Sequence, residues 1–142
     1  MKRSKIIFTV NVDFDGDCTF DIEVIRPDVR THTYLYGDAA SLAEFGKKLM
    51  AFPKDAAETV CFEWGQAEHP SAFGYLRMEA YCASPMGHTA LRIIAEDGER
   101  AAHHRFEFSI ASEAASINRL GALLANWQVE TTPQLIWKAE TR

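Results

Sequence analysis

Only three cysteines occur in these 142 residues, and no two stand in a Cys-x-x-Cys pair. An odd, widely spaced set excludes a disulfide framework, a zinc knuckle and a dithiol redox motif. Cys18 and Cys82 fall in phase with the apolar positions of their strands, where a thiol acts as a small hydrophobe, whereas Cys61 falls out of phase and should be more accessible. Long apolar runs are missing too. The few-residue stretches present are far short of the roughly 20 that a spanning helix needs, so no membrane segment is expected. Lys2, Arg3 and Lys5 before the run 6–10 have the charge order of a signal peptide. Asn11, Asp13, Asp15 and Asp17 interrupt that run before an apolar region of about 7–15 residues is complete, so the chain reads as unprocessed and cytoplasmic. No run of Lys or Arg exceeds two residues and the net charge is −5, which argues against nucleic acid as a partner.

Catalytic signatures are equally sparse. No Gly-x-Ser-x-Gly elbow, phosphate loop or dinucleotide fingerprint is present. The stretch Asp13-Phe14-Asp15-Gly16-Asp17 has the look of a calcium loop, but an EF-hand needs glycine at its sixth position and glutamate at its twelfth, where this chain has Cys18 and Val24. It reads as an acidic hairpin tip. His32, His69, His88, His103 and His104 form no His-x-His or His-x-x-x-His pair, so no metal site is expected. Ser84-Pro85-Met86-Gly87-His88 reads as a turn, and a nucleophilic Ser84 would need a base that the sequence does not place. Neither a cofactor nor enzymatic activity is expected.

What the chain does have is periodicity. Alternation puts Phe8, Val10, Val12 and Phe14 on one face of a first strand, and Cys18, Phe20, Ile22 and Val24 on one face of a second. Asp15-Gly16 suits the tight turn between them, and Pro27 ends the second strand. Residues 30–36 make a third. Asp38 is placed to cap a helix whose apolar face is Leu42, Phe45, Leu49 and Phe52, ended by Pro53. Strands then follow at 59–64, 73–82, 88–95 and 104–110, with Asp97-Gly98 as another turn. A second helix opens at Ser112 or Glu113 and presents Ile117, Leu120, Leu124 and Trp127. After Pro133, residues 134–138 supply an eighth, edge strand. Its Leu135-Ile136-Trp137 either folds back on the domain or makes a dimer contact by strand addition.

The two helical segments echo each other. Residues 38–52 and 113–127 align with Ala39/Ala114, Ala40/Ala115, Ser41/Ser116, Gly46/Gly121 and Leu49/Leu124 shared. The chain therefore reads as one domain, 1–142, with pseudo-repeat halves at about 1–53 and 58–127, each of strands followed by a helix. The expected fold is α+β: a two-layer sandwich in which an antiparallel sheet of seven or eight strands carries both helices on one face. A mid-helix glycine costs about 1 kcal/mol relative to alanine. Gly46 and Gly121 therefore point to close approach between the helices, or between helix and sheet.

The strand phases leave a polar face turned away from the helices. Thr9, Asn11, Asp13, Asp21 and Glu23 come to it from the first half. Cys61, Glu63, Tyr75, Arg77, Glu79, Tyr81, His88, Arg92, His103, Arg105 and Glu107 come from the second. Tyr75, Arg77, Tyr81, Arg92 and Arg105 are of the types that dominate binding hot spots, and they are the candidate partner-binding residues. Cross-strand ion pairs on a solvated sheet account for the same list.

The phrases LAEFGKKLMAFP, CFEWG, YLRMEAY and GHTALRIIAEDG, in the order strands, helix, strands, helix, resemble small bacterial proteins of the immunity type. Such proteins neutralise polymorphic toxins with a sheet covered by two helices. The resemblance implies a cytoplasmic binder that occludes a toxin, its acidic balance meeting a basic toxin domain. Two rival readings stand beside it. One is a small-molecule binder or enzyme with a pocket at the helix–sheet interface or on the polar face; the other is a homodimer.

Overall fold

The computed structural model describes residues 3–65, 74–98 and 100–141. Its elements run β1 (Lys5–Val12), β2 (Cys18–Arg26), β3 (Val29–Gly37), α1 (Ala39–Met50), β4 (Val60–Trp64), β5 (Tyr75–Cys82), β6 (Thr89–Asp97), a 3₁₀ turn (Arg100–Ala102), β7 (His104–Ser112), α2 (Ala114–Ala125) and β8 (Gln134–Lys138). The fold is α+β with antiparallel sheets, as the alternation and hairpin signals predict. Residues Phe73 and His69 lie outside the described residues.

The eight strands do not form one sheet. They divide into sheet A, ordered β3-β2-β1-β8, and sheet B, ordered β4-β5-β6-β7. Hairpins extend a sheet only while the next strand follows a tight turn. Here α1 intervenes after β3, and β4 starts a new sheet by pairing with β5, placing Val60 opposite Ala80 and Phe62 opposite Met78. After α2 the chain returns to the open edge of β1, where Ile6 faces Trp137 and Phe8 faces Leu135. The strand after α1 thus opens sheet B, and the strand after α2 returns to sheet A. Leu135 and Trp137 are buried by this pairing, while Ile136 points outward, 47% exposed.

Strand β1 stops short of its predicted end. The Asp13 carboxylate accepts from the N–H groups of Asp15 (2.9 Å) and Asp17 (3.0 Å), starting the turn there, with Gly16 at φ +88°. Phe14, read from the alternation as inward-facing, is instead 98% exposed at the tip.

One core joins the halves, with Phe8, Phe20 and Ile22 of sheet A, Leu76, Met78 and Ile93 of sheet B, and the helical Leu42, Leu49, Ile117 and Leu120 in a single cluster. Trp127 packs on Phe8 and Phe20 with ring centroids 6.2 and 5.6 Å apart, and Phe45 packs on Phe62 at 5.8 Å. The helices meet at the paired glycines. A Cβ on Gly46 would lie 2.6 Å from the Gly121 carbonyl oxygen, and one on Gly121 would lie 2.6 Å from that of Gly46. Close helix–helix approach is therefore why both positions lack a side chain. Asn118 donates to the Leu49 (2.8 Å) and Phe52 (2.6 Å) carbonyls, closing the end of α1 from α2.

Candidate functional site

The second half puts all five candidate residues on the outward face of sheet B. Alternation within β5 sends Leu76, Met78 and Ala80 into the core and Tyr75, Arg77, Glu79 and Tyr81 the other way. Antiparallel pairing then builds rows across that face: Cys61, Glu79, Arg92 and Ser109 in one, and Glu63, Arg77, Ile94 and Glu107 in the next. The acidic residues of the first half, Asp21 and Glu23, belong to sheet A. The single polar face expected from the sequence is therefore split between two sheets.

Glu79 organises the sheet B face. Its side chain is only 13% exposed and takes Arg77 at 2.8 Å on one oxygen and Arg92 at 3.5 Å on the other. The Arg92 guanidinium lies over the Tyr81 ring, 4.8 Å from its centroid, and the Tyr81 hydroxyl is 2.7 Å from Ser109 Oγ. The hydrogen bond to Glu79 holds the Arg77 guanidinium above its ordinary pKa range. Arg105 sits at the margin, 3.2 Å from Glu107 and 3.9 Å from Glu96, and Glu96 also meets His103 at 2.5 Å. Arg92–Glu79 and Arg105–Glu96 join neighbouring strands, the cross-strand arrangement that a solvated sheet favours, whereas Arg77–Glu79 and Arg105–Glu107 each lie along one strand.

Tyr75 differs from the other four. It is 4% exposed, and its hydroxyl donates to Glu63 at 2.5 Å. Burial first, and then the Glu63 hydrogen bond, pushes its pKa up to about 12. It supports the face from beneath. The exposed Cys61 has its thiol pKa raised chiefly by desolvation, with Arg77 opposing, so the unreactive protonated form is favoured. Cys18 is buried and Cys82 half-buried, as their phases predicted.

Other candidates resolve into turns and pairs. Ser84 Oγ lies 3.0 Å from His88 Nδ1, a neighbour the sequence did not place, and it also accepts from the Met86 N–H at 3.2 Å. Both bonds close the exposed β5–β6 turn. On sheet A, His32 pairs with Asp21 and stacks edge-on against Tyr34, centroids 4.7 Å apart. Among the described residues, no cluster of three or more His, Cys, Asp or Glu side chains is placed to hold a metal, and no helix is long and apolar enough to cross a membrane.

No protein-family model and no curated protein sequence matches this chain.

Proposed function

We propose that this chain is a non-enzymatic protein-binding module that meets its partner through the outward face of sheet B. The observation that carries this reading is the Glu79 clamp, which holds Arg77 and Arg92 in place and lays Arg92 over Tyr81. Arg and Tyr are enriched at binding hot spots. Side chains already ordered in the free protein lose less rotamer freedom on association. The resemblance to immunity-type proteins supports a toxin as the partner and the cytoplasm as the place of action. The net charge of −5 favours a basic toxin domain.

The same reading keeps the pseudo-repeat, halves at about 1–53 and 58–127 that each run from strands into a helix, in a two-layer α+β arrangement. The matched glycine contacts support it.

Affinity capture from the native host tests the face directly, comparing the natural chain with an Arg77→Ala/Tyr81→Ala/Arg105→Ala variant. A partner retained by the first and lost by the folded second is expected. Identical capture by both would contradict the assignment. A homodimer reading is favoured by one observation, the outward Ile136 on the edge strand β8. Light scattering after size exclusion tests that reading, and a strict monomer at high concentration removes it.

A further inference from the structure

Independently of the sheet B face, a groove of about 870 Å³ crosses the far end of sheet A's outward side. Five of the chain's fifteen lysines and arginines line it, against two carboxylates, in a protein whose net charge is −5. Strand register explains the concentration. Lys138 pairs with Lys5, Lys5 with Ile25 and Ile25 with Arg30, so one outward row carries three cations around one isoleucine. The arginines of the groove have partners: Arg26 grips Asp28 through two bonds of 2.7 Å, Arg30 meets Glu23 at 2.8 Å and Arg3 meets Glu140 at 3.7 Å. Lys5 and Lys138 form no salt bridge among the described residues, although they are direct cross-strand neighbours.

Like charges directly opposite on a sheet destabilise it. An arrangement that places two there, with the nearby acids already engaged, has two ammonium groups available to a single anion. A lysine binds phosphate as a compact point charge with three donors. Beside the two lysines, Ile7, Ile25, Pro27 and Val29 give the groove an apolar lining. Its volume falls within the roughly 300–1,000 Å³ of small-molecule sites, with seven charged residues beside those four apolar ones. We propose that the groove binds a small phosphomonoester, with Lys5 and Lys138 on the phosphate and the isoleucines against an apolar body.

Phenyl phosphate is the probe, followed by amide chemical shifts at low salt. Inorganic phosphate, a short single-stranded oligonucleotide and a polyglutamate peptide serve as parallel arms. Saturable shifts centred on Lys5, Ile25 and Lys138 are expected, with phenyl phosphate bound more tightly than inorganic phosphate. Lys5→Gln and Lys138→Gln should each weaken it about fivefold. Phenyl phosphate should also raise the melting temperature of the natural chain by mass action, and not that of the double variant. The double variant, freed of the like-charge pair, should melt no lower than the natural chain in phosphate-free buffer. Absence of saturation, shifts unchanged in the double variant, a lower-melting double variant, or tighter binding of the oligonucleotide or peptide at this groove would each overturn the proposal.

Discussion

The two halves of this molecule follow the same order of elements but differ wherever water reaches them. Inward, Gly46 and Gly121 make reciprocal contacts, and buried side chains alternate alike along β2 and β5. Outward, sheet B matches each of Arg77, Arg92 and Arg105 to a carboxylate, whereas sheet A leaves Lys5 beside Lys138. Even the helix starts differ. Asp38 accepts from the Ser41 N–H at 3.2 Å, while Glu113, one methylene longer at the equivalent place, makes no side-chain cap bond. Packing is alike on the two sides of the helix crossing, and the two sheets carry different outward chemistry.

Paired substitutions sharpen this comparison. The strands β4 and β8 each follow a helix and lie at the edge of a sheet, but Trp137 is fully buried and donates to the Ser116 carbonyl at 2.8 Å, whereas Phe62 is 7% exposed. Trp137→Ala should cost about 3–5 kcal/mol in urea unfolding, and Phe62→Ala less. Equal losses would break the contrast. At the helix crossing the halves should instead behave alike. Gly46→Ala and Gly121→Ala each drive a Cβ to 2.6 Å from backbone oxygen. Each should lose about 2 kcal/mol, since overpacking outweighs the gain in helix propensity. A large difference between them would argue against a shared crossing point.

Sheet B carries a pH dependence. The folded pKa of Tyr75 is raised to about 12, so the folded chain holds this proton more tightly than the unfolded one. The stabilisation is complete below the unfolded tyrosine value near 10 and is lost as pH rises from there through about 12. Urea melts across that range should show the decline, and Tyr75→Phe should flatten it. The cap is the smallest effect. Asp38→Ala should cost about 1 kcal/mol through loss of its bond to the Ser41 N–H. Thermal melts would register the loss.

Local regularity was legible in the sequence because period and capping act over a few residues. The helical faces, the Asp38 cap, the thiol phases and the outward set of β5 follow from it. The division into two sheets was not, because the partner of β8 is β1, more than a hundred residues away, and alternation is silent about which edge a strand joins. Phe14 was misplaced because the Asp13 carboxylate begins the turn inside an unbroken alternation. The Tyr75 phase was legible but its burial and its bond to Glu63 of the neighbouring strand were not, since alternation gives only the direction of a side chain. The Lys5–Lys138 pair escaped for the same reason as β8: strand pairing at long range creates it. In the candidate face, residue types and direction could be read from the chain. The Arg92 side of the Glu79 clamp could not, because it needs the β5–β6 register.

Hydroxyl-radical footprinting of the chain with and without a partner captured from the host tests the central claim most directly. Tyr34 and Tyr36 on sheet A are 40% and 45% exposed and serve as internal controls for Tyr81 on sheet B. The account predicts that bound partner shields Tyr81 and leaves Tyr34 and Tyr36 as reactive as before. Shielding of the sheet A tyrosines with Tyr81 unchanged would contradict it.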